Sequence, residues 1–260
     1  MMIRLILLIA TLWAPACFAQ GNVDVSQALR SIHLDPAFRQ NLRERGYTGD
    51  RFEIMIDHTR QLYADRAIVS GLARKIDNSL RVSGNRPSDV FFQSLDRALS
   101  EAYSTGLTRL SNSERRQLFA IDYAYVKSLP DRDCTKLLSG RQRPDRAQDL
   151  FDTFMVQISP DQLAAYHRYL RKATRLGLAK GASPRVLSAA ETRRVEEALF
   201  PQIDAMIGQQ KNAKSLYKAW AKGPKTTRKY LCTFNKMFAF SALNISGSTG
   251  DLAILYLMAN

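Results

Sequence analysis

The chain predicts an all-α fold: a multi-helical bundle of about ten amphipathic helices with no sheet. Three observations carry this. Apolar residues recur three and four positions apart along most of the length, the spacing of one helix face. No stretch sustains the period-two alternation of a half-buried strand. Several helix starts are spelled out, at Asp35-Pro36, Pro87-Ser88-Asp89, Ser159-Pro160-Asp161 and Ser188-Ala189-Ala190-Glu191. In each, a side-chain oxygen or a proline answers first-turn amides that have no partner within the helix.

The elements follow in order. After a loose start at 20–23, residues 24–34 form a short helix. Asp35-Pro36 opens the next, and Gly46 closes it. Thr48 or Asp50 caps a long helix in which Met55, Leu62, Val69 and Ile76 repeat every seven, with Phe52, Ile56, Tyr63 and Leu72 beside them. A polar linker spans 78–86. Pro87 starts a helix with Phe91, Leu95, Ala98 and Ala102 inward, which Gly106 interrupts. Ser111 or Ser113 caps a helix bearing Leu118, Ile121, Tyr125 and Leu129, ended by Pro130. Residues 131–138 make a short helix carrying Cys134.

Residues 141–144 mark the best internal boundary, giving an N-terminal half at 20–142 and a C-terminal half at 143–260, expected to form one compact globular unit joined by a disulfide. Leu150, Phe154 and Ile158 then mark a helix. Ser159 caps the next, with Leu163, Tyr166, Leu170 and Ala173 inward. Ser188 and Glu191 form a capping box before Val195, Leu199, Ile203 and Met206. Pro201 should kink or split that helix. A turn at 246–250 precedes a final helix at 251–258.

The chain has 260 residues, with 38 Lys+Arg against 24 Asp+Glu, a formal charge of +14. Residues 1–19 read as a secretory signal: Arg4, a short apolar run at 5–14, and Cys17-Phe18-Ala19 with small residues at both cleavage positions. That run is too short to span a bilayer, and no other stretch approaches the ~20 apolar residues required. Cleavage after Ala19 removes only Arg4 among the charges, so the mature form carries 14 − 1 = +13. A rival reading lipidates Cys17, but it needs a branched apolar residue where Ala14 stands. The mature chain is therefore expected in the periplasm or secreted, without a transmembrane span.

Two cysteines remain, Cys134 and Cys232, and an oxidising compartment predicts that they pair. The loop would span 232 − 134 = 98 residues. For such a loop, chain-entropy models give about 4–5 kcal/mol. Neither cysteine lies in a CxxC or near a histidine.

The most informative stretch is 211–236. It carries Lys211, Lys214, Lys218, Lys222, Lys225, Arg228, Lys229 and Lys236, and no Asp or Glu occurs between Asp204 and Asp251. Lys211, Lys214, Lys218 and Lys222 are spaced three, four and four, one stripe of a helix. Leu216, Tyr217 and Trp220 fall off it. Gly223-Pro224 stops that helix, and a second one bearing Cys232 begins at Pro224. Such a run is ordinarily a solvated face over a core, here Tyr217, Trp220, Tyr230, Phe234 and Phe238. The missing acids favour a docking surface for an anionic envelope polymer or membrane, because mixed signs would cancel the field. Lys211, Lys214, Lys218, Lys222, Lys225, Arg228 and Lys229 are its candidate residues. A protein partner is compatible with the same face. Nucleic acid is the weakest fit for a periplasmic resident, although charge alone permits it.

No catalytic motif stands out. His33, His58 and His167 are scattered, without HxxxH or HExxH, so no metal or other cofactor is expected. His58 and His167 read as interfacial or surface residues. There is no G-x-S-x-G, P-loop or dinucleotide fingerprint. A cell-wall hydrolase needs a carboxyl whose pKa is raised in a partly apolar pocket. Glu101, in Ser100-Glu101-Ala102-Tyr103, is the candidate with aromatic company, but it lacks the downstream glycine and aromatic pattern of a lytic transglycosylase. The leading expectation is an exported helical binding or accessory protein with a basic docking face. A peptidoglycan hydrolase and a secreted factor acting on another cell are the alternatives.

The mature protein should begin at Gln20. N-terminal sequencing or intact mass of the exported form checks this, and a diacylglyceryl mass on Cys17 would overturn it.

Overall fold

The computed structural model describes residues 25–83, 87–223 and 228–259, and the side chains among them except those of 25, 28 and 77–92. The expected signal segment 1–19, Cys17 and Lys225 lie outside the described residues. Thirteen α-helices and no strand occur among the described residues. They are α1 (Val25–Ser31), α2 (Pro36–Glu44), α3 (Gly49–Ala64), α4 (Arg66–Ser83), α5 (Pro87–Leu107) and α6 (Asn112–Ser128). The rest are α7 (Asp131–Leu138), α8 (Pro144–Met155), α9 (Pro160–Leu178), α10 (Ala189–Gly208), α11 (Ala213–Ala221), α12 (Leu231–Asn244) and α13 (Gly247–Ala259). The all-α expectation holds, with more and shorter helices than the periodicity suggested.

The chain forms two compact units, and it leaves the first for the second and returns. The first comprises residues 25–110 with 151–184. Its core gathers Leu29, Leu62, Ile68, Val69, Leu72, Ile76, Leu95 and Leu99 from α1, α3, α4 and α5. The long helix expected from residue 50 is broken at Asp65, which is extended (φ −70°, ψ 109°). Its carboxylate accepts from Ala67 N at 2.9 Å and Ile68 N at 3.3 Å, so Asp65 caps α4. The heptad spacing nevertheless holds across the break, since Met55, Leu62, Val69 and Ile76 are all buried. The linker expected at 78–86 is also shorter, because α4 continues to Ser83.

Gly106 does not interrupt α5, which runs on to Leu107. Its role is close approach. A Cβ on Gly106 would lie 1.7 Å from the Ala173 carbonyl oxygen of α9, and one on Gly177 would lie 1.8 Å from that of Ala102. The two helices therefore touch backbone to backbone through a reciprocal glycine pair. Asp152, near the end of α8, accepts from the Tyr47 hydroxyl at 2.9 Å and from Arg45 at 3.4 Å.

The second unit comprises residues 111–150 with 185–259. Phe119 of α6, Val195 and Leu199 of α10, Ala239 and Ala242 of α12, and Ile254 and Leu257 of α13 form one core cluster. Capping boxes start α6 (Ser111 with Glu114) and α10 (Ser188 with Glu191). Arg116 of α6 donates to the carbonyls of Leu243 (3.0 Å) and Ile245 (3.2 Å), satisfying the open end of α12. Pro201 does not split α10, which is continuous through it. Residues 224–227, where a helix start was expected, lie outside the described residues, and α12 begins at Leu231.

Cys134 of α7 and Cys232 of α12 form a disulfide, with Cα atoms 5.7 Å apart. Both cysteines belong to this second unit, so the bond is internal to it. The boundary expected at 142/143 falls within the same unit, between α7 and α8.

Gly106→Ala should destabilise the first unit by about 3 kcal/mol or more, because the new methyl meets a backbone carbonyl that cannot rotate away. Urea unfolding checks this. A parental midpoint would mean that α5 and α9 are not in backbone contact.

Candidate functional site

The lysine stripe lies on and around α11, a helix of nine residues. Its inner side is committed to packing. Leu216 and Ala219 are buried with Ile203 and Ile207 of α10 and Phe234 and Met237 of α12. Trp220 stands at the centre, with Phe200, Phe234 and Phe238 ring centroids each 5.7 Å from its own. The docked side of α11 thus points the opposite side to solvent. Lys211, Lys214, Lys218, Lys222, Arg228 and Lys229 are all exposed.

The helix is shorter than the stripe. Lys214 and Lys218 lie within it, Lys222 is its C-cap residue, and Lys211 sits in the turn before it. Lys218 and Lys222 are favoured there for a local reason, since a helix C-terminus carries partial negative charge. Lys229 lies with its Nζ 5.3 Å from the centroid of the Tyr230 ring. Lys236 belongs elsewhere: it pairs with Asp131 at 3.0 Å and donates to the Leu129 carbonyl at 3.4 Å. Tyr217 is not the anchor behind the lysines that its spacing implied. It is exposed, and its hydroxyl donates to the Asp204 carbonyl of α10 at 3.1 Å. The acid-free window of the sequence is therefore bordered in space by Asp204, whose charge helps raise the pKa of Tyr217, after desolvation.

Glu101 is a solvated helix residue, ion-paired with Lys75 at 2.8 Å with both side chains substantially exposed. The carboxyl with a strongly raised pKa is Asp122, which the sequence did not single out. It occupies the inner face of α6, a turn after Leu118 and Phe119 and a turn before Tyr125 and Val126. Burial pushes it up to about 7. It is 8% exposed, a core residue rather than a residue of an open site.

His58 and His167 overturn the surface expectation, since each is only 3% exposed. Their helical spacing could have shown it. His58 lies three after Met55 and four before Leu62, and His167 lies four after Leu163 and three before Leu170, on the inward stripes of α3 and α9. Their ring centroids are 4.3 Å apart. None of the four ring nitrogens has a hydrogen-bond partner among the described residues. Desolvation, and then the Arg171 guanidinium, lowers the pKa of His167 to about 3. Desolvation, His167 and Arg171 hold His58 well below its ordinary value. Among the described residues no three His, Cys, Asp or Glu are grouped to hold a metal ion. No helix there is long and apolar enough to cross a membrane.

The pair sets a pH dependence whose sign follows from its depressed pKa values. Both imidazoles are neutral when folded and bind protons when unfolded, so their contribution is intact above pH 6.5 and is lost as pH falls from there toward 3. For His167 alone the loss approaches ~5 kcal/mol at the acid end. As pH falls from 7 to 4, the urea midpoint should drop relative to that of a His58→Leu/His167→Leu variant. An unchanged difference between the two would mean that the imidazoles are not buried neutral.

No protein-family model, no curated protein and no solved structure matches this chain.

Proposed function

We propose that this is an exported binding or accessory protein that docks on an anionic surface of the cell envelope through the α11 face. The observation that carries the reading is the division of labour on α11. Leu216, Ala219 and Trp220 are spent on the α10–α12 core, which leaves Lys214, Lys218 and Lys222 exposed on the far side with Lys211 in the turn before, while Arg228 and Lys229 are exposed on the 3-10 turn that precedes α12. Lys225 falls between Lys222 and Arg228 in sequence. Lys211, Lys214, Lys218 and Lys222 are four exposed cations on and beside one short helix, and they form a local field that scattered charges do not. Export rests on the signal-like residues 1–19, and the disulfide is compatible with it.

The hydrolase alternative would run through Glu101, which is exposed on α5 and ion-paired with Lys75 rather than set in an apolar pocket. A secreted factor acting on another cell would use the same cationic face, and recovery from the culture medium distinguishes it from a periplasmic resident.

Changing Lys214, Lys218 and Lys222 together to Gln should leave the melting temperature nearly unchanged, because exposed charges contribute little to stability. Each lysine adds about 1 kcal/mol near an anionic membrane. Co-sedimentation with anionic vesicles or cell-wall sacculi at low salt should therefore weaken by about a hundredfold in the triple variant. The parent's binding should itself collapse as salt shortens the Debye length. Sedimentation of the variant equal to the parent's would reduce the face to a solvated surface.

A further inference from the structure

The α11 face carries an apolar border as well as charge. Phe200 of α10 and Tyr217 of α11 are each 38% exposed, and Trp220 is half-buried between α10 and α12. The Phe200 and Trp220 rings meet edge to face, with planes 85° apart. Phe200 and Asp204 are one turn apart on α10, and Trp220 and Tyr217 are one turn apart on α11. Phe200 touches Trp220 while Asp204 accepts from Tyr217. Phe200 and Trp220 thus meet at the α10–α11 seam, and the Tyr217 hydroxyl reaches across it one turn away. At 100° per residue, Tyr217 lies on the flank between that seam and the Lys214–Lys218 stripe, with exposed Ala221 one turn above it.

Aromatic rings beside a row of ammonium groups match one anionic surface better than the others. A glycan or teichoic polymer offers anions to the lysines but no apolar phase to the rings. A bilayer offers both: headgroup phosphates for Lys214, Lys218 and Lys222, and the headgroup–acyl boundary, where Trp and Tyr bury their rings and keep their polar ends wet. Lysine stems extend across such a boundary while their charges stay at the phosphates. Asp204 opposes the arrangement, as an exposed carboxylate beside Tyr217. We infer that the α10–α11 seam seats on an anionic lipid bilayer, with Phe200, Tyr217 and Trp220 at the headgroup boundary and the lysines on the phosphates. This rests on the reading of α11 as the docking face, and it narrows the partner from an anionic surface to a lipid.

The chain supplies its own reporter. Trp13 and Trp220 are its two tryptophans, so cleavage after Ala19 leaves Trp220 alone; Trp13→Phe serves if the leader is retained. Exported protein is titrated with vesicles of equal parts phosphatidylglycerol and phosphatidylethanolamine, with phosphatidylcholine vesicles, and with sacculi. On the anionic vesicles Trp220 emission should shift to the blue and be quenched by lipids brominated near the top of the acyl chain. Phosphatidylcholine should produce neither. A Phe200→Ser/Tyr217→Ser variant, confirmed folded by its melting curve, should bind anionic vesicles about tenfold more weakly and sacculi equally well. Asp204→Asn should bind the vesicles more tightly. Co-sedimentation with vesicles without shift or quenching would show lysines alone at work and overturn the bilayer seat. Binding to sacculi but not to vesicles would overturn it too, and either result leaves the docking face standing. Binding to neither would remove both.

Discussion

Trp220 holds the lysine-bearing helix in place. A nine-residue helix with lysines along one side has no intrinsic reason to form, since nucleation is costly and like charges one turn apart repel. It forms because Leu216, Ala219 and Trp220 fit against α10 and α12. Two of the three rings around Trp220, Phe234 and Phe238, lie on α12, two and six residues after Cys232. The disulfide to Cys134 therefore fixes the helix that fixes Trp220, and through it the direction in which the lysines point. The link from oxidation to surface charge runs through one helix of packing and needs no conformational change.

The charge pattern in space differs from the pattern in sequence, and the differences have causes. The stretch between Asp204 and Asp251 contains eight cations and no acid. Folding withdraws Lys236 from that set, because α12 turns it toward Asp131 on α7. Folding also brings Asp204 to the edge of the face, because α10 and α11 pack side by side. A charge count along the chain is one-dimensional. The field at the surface is set by helix packing, which pairs Lys236 with Asp131 and brings Asp204 beside Tyr217.

Much of the helix content was legible, because helix ends and helix faces are local matters. Ser111, Ser159 and Ser188 cap helices with side chains that reach only three residues ahead. Met55, Leu62, Val69 and Ile76 are buried as their period requires. Asp65 was overlooked because a capping side chain inside an unbroken apolar period looks like one more outward polar residue. Gly106 was misread as a breaker because the carbonyl that demands its missing Cβ belongs to Ala173, far away in sequence. The grouping into two units was hidden for a similar reason: the chain departs near residue 110, returns near 151 and departs again near 184. No composition shift marks those crossings. Of the candidate site, the lysines could be read directly, while Phe200 and Asp204 came from a helix whose proximity no local signal gives.

Burial has been used in opposite senses in the two units. In the first, His58 and His167 are buried bases held neutral, and their contribution is lost as pH falls below 6.5. In the second, Asp122 is a buried acid raised to about 7. Its protonated form is the one that the fold favours, so its contribution is present below its ordinary carboxylate range and is lost as pH rises through 7. The terms oppose each other between about pH 4 and pH 6.5, where both change. Neither arises from an ion pair. Desolvation leads in all three groups, so screening by salt should leave them largely intact. The lysine face is the reverse case, exposed and governed by screening. The molecule thus keeps its salt-sensitive electrostatics on the exposed lysine face, and its pH-sensitive electrostatics inside the two cores.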